Sequence, residues 1–327
     1  MSSENRFQQF AENIVGVNIA VRKGEQVLMV CDRQTNMDLV YALSEAIERR
    51  GAEFTISIMP VRPADNATTT TDVIAKSAEA ADVIISLNRY NSCSLFDGRV
   101  NRLIAEKKIR DVTLSCRDPE VFLRGGALAD YEQILQDGIK LQAIWEKETE
   151  FHMTSELGTD LRGKMGLRPI LLGCGIARNP GESMAFSDGE VSCTPDDGTV
   201  SGIVVSNGPI YGQPDHSAPV RITIENSRVT GITCEDETVE QNMNNMLRDI
   251  ENYGWLAEIA IGLNPCSLKN GEFPEEKKSR GNLHIALGDN LYYGGTNACA
   301  VHIDCVIKGA NMWLGEHQMV KNGEYLL

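Results

Sequence analysis

The sequence predicts a two-part fold: an α/β N-terminal domain with a parallel, Rossmann-like sheet, then a mostly antiparallel α+β domain. Up to about residue 115, short apolar runs alternate with segments whose apolar residues have helical spacing, which is typical of βαβ units. Beyond about residue 150, helical patterns become rare, and alternating strands with turn residues take over. We therefore predict domains over residues 1–150 and 151–327.

The first part contains four predicted strands and three predicted helices between them. The strands are 26–31, 54–59, 83–87 and 112–114, and the helices are 37–50, 72–81 and roughly 95–107. Leu39, Leu43 and Ile47 show the helical spacing in the first helix. Helices of this length between strands predict right-handed crossovers and a parallel sheet. Because Asp32 to Asn36 follows the first strand instead of a glycine-rich turn, we do not expect a dinucleotide site.

The second part contains a predicted hairpin, one clear helix and several buried strands. The hairpin joins 220–224 to 228–233, the helix covers 239–252, and apolar strand-like runs cover 255–263, 283–287 and 301–306. The hairpin follows from alternating residues on both sides of Glu225-Asn226-Ser227.

Composition excludes several classes of partner. The net charge of −15 argues against nucleic acid, because phosphate binding needs basic patches. The mixed run Glu275 to Lys278 is interpreted as a solvated face. No apolar stretch approaches the length of a membrane span, so no membrane association is expected. The nine scattered cysteines indicate reduced thiols and a cytoplasmic protein.

Polar residues inside the predicted apolar strands are the candidate functional residues. Glu258 interrupts the run Trp255 to Leu263, where an isolated carboxylate costs several kcal/mol unless a cation or hydrogen bonds meet it. His284 lies in another such run, and His302 and Asp304 share one face of a third. Such a set suits Zn²⁺, Co²⁺, Mn²⁺ or Fe²⁺. The alternative is that His284, His302 and Asp304 lie on the wet face of antiparallel strands.

Four sequence blocks carry a family resemblance. They are Asp188 to Val191, Ala257 to Gly262, His284 to Gly288 and His302 to Asp304, in the order in which they occur in the aminopeptidase T family of metallopeptidases. The resemblance implies two divalent ions (Zn, Co or Mn) in the second domain, on Glu190, Glu258, His284, His302 and Asp304. It also implies a tyrosine at the site, Tyr293 in preference to Tyr292, and a homodimer or larger assembly.

This resemblance predicts an aminopeptidase that releases N-terminal amino acids from small peptides through a metal-activated water. Glu258, or alternatively Glu276, would accept the proton, and Tyr293 would stabilise the oxyanion. Asp289 and Tyr292 would bind the substrate.

The chain also resembles a second family, and this resemblance predicts an alternative activity. The ring-opening dioxygenases of 2,5-dihydroxypyridine resemble the chain in the Gly-Gly and His-x-Asp block, and they use a single non-haem Fe(II). In them a histidine takes the position of Glu258. Ser279 stands where well-characterised aminopeptidases of the first family have an acid. Glu258 favours the hydrolase, and the dioxygenase is the alternative.

Overall fold

The structure is a computed structural model that describes residues 6–62, 69–89, 97–116 and 118–327. Its contacts divide the chain into two compact units. Unit 1 consists of Met1–Glu132 and Gly175–Asp188, and unit 2 of Gln133–Cys174 and Gly189–Leu327. The division at residue 150 into two folding domains stays a prediction.

Eighteen strands lie in the described part of the chain. They are β1 Gln26–Asp32, β2 Glu53–Met59, β3 Val83–Ser86, β4 Arg110–Thr113, β5 Glu150–Thr154, β6 Asp160–Lys164, β7 Leu171–Gly173, β8 Ser183–Ala185, β9 Glu190–Cys193, β10 Ser201–Ser206, β11 Val220–Glu225, β12 Arg228–Thr233, β13 Leu256–Gly262, β14 Leu283–Gly288, β15 His302–Ile307, β16 Asn311–Leu314, β17 His317–Lys321 and β18 Glu324–Tyr325.

The helices of the described residues are fewer and mostly short. The α-helices are α1 Gln8–Asn13, α2 Met37–Arg49, α3 Asp72–Ser77, α4 Gly98–Ala105, α5 Tyr131–Trp145, α6 Glu237–Asp249 and α7 Phe273–Lys278. A π-helical turn covers Ile14–Asn18, and 3₁₀ turns cover Ala78–Ala80, Pro119–Leu123, Gly125–Leu128 and Leu291–Tyr293. None of these helices has the length and apolarity that crossing a bilayer requires.

Unit 1 contains a five-stranded sheet in the order β2-β1-β3-β4-β8, and every pairing in it is parallel. The predicted parallel sheet is therefore confirmed. Asn36 caps helix α2, because its side chain accepts hydrogen bonds from the backbone amides of two residues in the first turn. The helix buries Leu39, Leu43 and Ile47, each of which contributes about 1.5–3 kcal/mol. The fifth strand, β8, was not predicted.

Unit 2 contains two antiparallel sheets, as the sequence predicts. The larger has the order β12-β11-β10-β6-β5-β16-β17-β18, and the smaller has the order β15-β14-β13-β9-β7. The predicted hairpin is present as β11 and β12, and Asn226 and Ser227 take the positive φ angles of a tight turn. The predicted helix after it is α6, which Asp236 caps. Helices α5 and α7 were missed.

Candidate metal centre

The smaller sheet of unit 2 brings the five predicted ligands to one face. Glu258 is paired with Ala286, and Ala286 with Asp304, so the three form a row across β13, β14 and β15. His284 and His302 lie two residues before Ala286 and Asp304, so they point to the same side.

Glu190 completes this face from β9. Ala260 is paired with His284 on one side and with Ser192 on the other, and Glu190 lies two residues before Ser192. The small side chains of Ala260, Ala286 and Ser192 leave room between the larger polar groups. The opposite face of these strands carries buried apolar residues, so packing there fixes the register and hence the site.

The imidazole of His284 lies at the centre of the cluster and is completely buried. Its Nε2 is 3.5 Å from Glu190 Oε2, 3.7 Å from Glu258 Oε1 and 3.9 Å from Asp304 Oδ1. These distances are too long for hydrogen bonds. All four atoms are buried without a hydrogen-bond partner among the described residues.

His302 joins the cluster from its more exposed side. Its Nδ1 lies 2.7 Å from the carbonyl oxygen of Asp289, and a carbonyl only accepts, so Nδ1 carries the hydrogen. Its Nε2 therefore faces Glu258 Oε2 at 3.0 Å and Asp304 Oδ1 at 3.4 Å. A backbone carbonyl that fixes the ring in this way is the usual support of a metal-binding histidine.

These residues fit a divalent metal ion. Each buried polar atom without a hydrogen bond costs about 1–3 kcal/mol of folding free energy, and a bound cation would offset this cost for the whole cluster. Two overlapping groups, Glu190 with Glu258 and His284, and Glu258 with His302 and Asp304, each bring three ligand atoms within 4.8 Å of one another. Imidazole and carboxylate donors suit first-row divalent ions. The centre therefore contains candidate ligands for such an ion.

Two lysines reach the same cluster, and sequence analysis missed both. Lys277 Nζ lies 3.1 Å from Asp304 Oδ2, and Lys278 Nζ lies 2.8 Å from Glu190 Oε1. Both lie in helix α7, which was interpreted as part of a solvated face. That interpretation is wrong, because α7 packs on the sheet and buries its charged side chains. Mixed charges carry no sequence signal for such burial.

Charges inside the cluster shift the pKa values of its members. Burial alone would raise the pKa of Glu258, but the charge of Lys277 and the hydrogen bond from His302 hold it well below its ordinary value. Burial would lower the pKa of Lys277, yet Asp304, Glu190 and Glu258 together raise it. Burial also opposes protonation of His302, but the neighbouring carboxylates of Asp304 and Glu258 raise its pKa to about 10.

Tyr293 contacts the cluster through its ring. Its ring stacks on that of His302, with ring centroids 5.4 Å apart and planes 12° apart. Burial and then the charge of Glu258 raise the pKa of Tyr293 well above its ordinary value, so the phenol keeps its proton. Tyr292 packs edge-on against Tyr293 and is 74% exposed.

The remaining predicted residues have structural contacts. The Asp289 carboxylate accepts hydrogen bonds from the backbone amides of Leu291 and Cys299. The Glu276 carboxylate accepts hydrogen bonds from the Gly271 amide and the Asn282 side chain. Substrate binding by Asp289 and Tyr292 stays a prediction.

Three comparisons relate the chain to known proteins. The sequence profile of the 2,5-dihydroxypyridine 5,6-dioxygenase family matches residues 10–326. A 2,5-dihydroxypyridine 5,6-dioxygenase from Pseudomonas putida is 23% identical over 274 residues, which are 80% of this chain and 75% of the relative.

Solved structures share the fold. A 2,5-dihydroxypyridine dioxygenase from Pseudomonas putida KT2440 superposes with a TM-score of 0.84 at 17% identity and covers 100% of this chain and 98% of its own. AmpT from Thermus thermophilus superposes with a TM-score of 0.68 at 14% identity, over 99% of this chain and 100% of its own.

The family match corrects the predicted activity. The hydrolase prediction, with its aminopeptidase, protease and zinc assignments, is wrong, because the profile that spans residues 10–326 is that of dioxygenases. The resemblance to aminopeptidase T reflects a related fold. Glu258 misled the interpretation, since imidazole and carboxylate donors serve hydrolytic and oxygen-using metal ions alike.

Proposed function

Because the chain belongs to the 2,5-dihydroxypyridine 5,6-dioxygenase family, we propose that it cleaves the ring of a small hydroxylated pyridine with dioxygen. The proposal includes Fe(II) as the metal ion. The observation that carries it is the convergence of three unpaired buried carboxylate oxygens on the unpaired Nε2 of His284, in a chain of this family. Two imidazoles with carboxylates are a ligand set that non-haem iron oxygenases use.

His302, His284 and Asp304 would provide the two imidazoles and one carboxylate that hold the ion, with Glu258 between the two histidines. When bound by these residues, Fe(II) would supply the redox chemistry for a reaction with dioxygen. The backbone carbonyl of Asp289 would keep His302 Nε2 directed at the centre. Glu190 would act as a further ligand or as the acceptor that holds the neighbouring Lys278.

Tyr293 would act on the substrate. Its phenol stays protonated because burial and the nearby carboxylates raise its pKa, so the hydroxyl is a hydrogen-bond donor, with Glu258 as its acceptor in the substrate-free protein. We propose that it donates to an oxygen of the hydroxylated ring and stabilises the negative charge that develops there. The exposed ring of Tyr292 lies beside it and would contact the entering substrate.

The test is oxygen uptake by protein that is reconstituted with Fe²⁺ under nitrogen and then mixed with 2,5-dihydroxypyridine and air-saturated buffer. We expect stoichiometric oxygen consumption together with loss of the aromatic absorbance. His302→Ala should abolish both, whereas His317→Ala should change neither, because the His317 side chain is 61% exposed and lies in β17 of the larger sheet, beside Glu148. Absence of oxygen uptake by fully iron-loaded protein with this substrate and its ring-hydroxylated analogues would refute the proposal.

A further inference from the structure

Each lysine of helix α7 binds one oxygen of a carboxylate whose other oxygen faces the imidazoles. Asp304 Oδ2 contacts Lys277, whereas Asp304 Oδ1 faces His284 and His302. Glu190 Oε1 contacts Lys278, whereas Glu190 Oε2 faces His284. Each of these carboxylates thus offers one oxygen to the imidazoles and holds an ammonium with the other, so neither has a free oxygen with which to bridge a second metal ion.

Hydrogen bonds anchor the backbone of helix α7 at the two lysines. The carbonyl oxygen of Lys278 accepts a hydrogen bond from the amide of Asn264, and Asn282 donates to the carbonyl oxygen of Glu276. Gly262 of β13 allows this close approach, because a Cβ there would lie 2.4 Å from the carbonyl oxygen of Ser279. The side chains of both lysines are only 13% and 15% exposed.

The charge of the cluster favours one ion. Once the ion has displaced the proton of His302 and both imidazoles are neutral, the three buried carboxylates of Glu190, Glu258 and Asp304 and the two ammonium groups together carry one net negative charge. One divalent ion changes this to one positive charge, and two ions would leave three positive charges in a buried site. Burying uncompensated charge is costly, so a second ion is disfavoured as long as both lysines are present.

We propose that Lys277 and Lys278 take the place of a second cation and thereby restrict the centre to a single divalent ion. The inference rests on the proposed function only in that the same residues bind the ion. The lysines act through the carboxylates, so they determine how many ions bind rather than touching the reacting atoms. Removing both positive charges should free Asp304 Oδ2 and Glu190 Oε1 and admit a second ion.

The experiment measures metal stoichiometry without substrate or oxygen. Metal-free protein is dialysed against Mn²⁺, and bound metal is counted by elemental analysis, while electron paramagnetic resonance distinguishes isolated ions from spin-coupled pairs. We expect one isolated ion in the unaltered protein, and close to two coupled ions in Lys277→Met/Lys278→Met. Lys308→Met is the matched control, since Lys308 Nζ lies 3.8 Å from Glu276 outside the cluster. It should bind one ion.

Two ions in the unaltered protein, or a single ion in a folded double variant, would overturn the inference. Circular dichroism checks folding, and if the double variant does not fold, Lys278→Gln is measured instead. More than one ion per chain then supports the inference, and one ion or none overturns it. Failure of the proposed function looks different: one Mn²⁺ binds as expected, but the iron-loaded protein consumes no oxygen with dihydroxypyridine.

Discussion

Raising the pH should tighten metal binding, because His302 carries a proton in the metal-free protein that the ion must displace. Burial lowers the pKa of His302, but the neighbouring carboxylates of Asp304 and Glu258 outweigh it and raise the pKa to about 10. Below that pH the metal-free imidazole is protonated at Nδ1 and Nε2, and only the deprotonated Nε2 binds a metal. The dissociation constant should therefore fall as the pH rises, and level off only near pH 10.

The size of the effect follows from the pKa. A pH of about 7 lies three units below the pKa of His302. Each unit corresponds to about 1.36 kcal/mol, so displacement of the proton weakens the free energy of metal binding by roughly 4 kcal/mol. The dissociation constant should change about tenfold per pH unit over this range. Each bound ion should release about one proton from this histidine.

Calorimetric titration of metal-free protein with Mn²⁺ measures both quantities. Titrations between about pH 6.5 and 8.5, each in two buffers of different ionisation enthalpy, give the affinity and the number of protons released. His302→Gln should bind more weakly and lose this pH dependence, whereas His317→Ala should keep it. A dissociation constant that does not change with pH in the unaltered protein, with no proton released, would refute the reasoning.

Further predictions concern catalysis, the core and the backbone of the site. Tyr293→Phe should lower the rate of oxygen uptake by roughly 10²-fold with unchanged iron content, and an unchanged rate would remove the proposed donor role. Arg110→Leu breaks a buried ion pair with Glu25 in unit 1, so the free energy of unfolding, measured with denaturant, should fall by about 3–5 kcal/mol. A fall of less than about 1 kcal/mol would contradict this. Gly288→Ala places a Cβ 2.2 Å from a backbone carbonyl oxygen at φ +107°, so it should weaken Mn²⁺ binding and lower the melting temperature. Gly231→Ala, with no atom within 4 Å of its Cβ, is the control, and equal effects of the two changes would count against the strain.

Much of the site was predictable because it follows the two-residue period of strands. A carboxylate or imidazole inside an apolar run stands out without any structure, as Glu258 and His284 do. Which of these side chains lie next to one another depends on the register of the strands. The pairing of Glu258 with Ala286, and of Ala286 with Asp304, is a feature of the tertiary structure that the sequence alone does not give. Glu190 lies in a short strand whose period gives no signal, and the family resemblance alone predicted it.

Other features depend on contacts that local sequence does not encode. Lys277 and Lys278 belong to a six-residue helix with no apolar stripe, and their burial arises from the carboxylates that they meet. Strand β8 joins the parallel sheet about 70 residues after β4, so its three residues carried no local pattern. The activity was mispredicted because the ligand types of the site are common to hydrolases and oxygenases.

Anomalous diffraction from crystals of Mn²⁺-loaded protein tests the central claim most directly. One strong peak, within about 2.5 Å of His302 Nε2 and of the unpaired oxygen of Asp304, is the result that we expect from a centre built on these strands. A loaded crystal with no peak at this cluster, or with its metal bound elsewhere, would contradict the account.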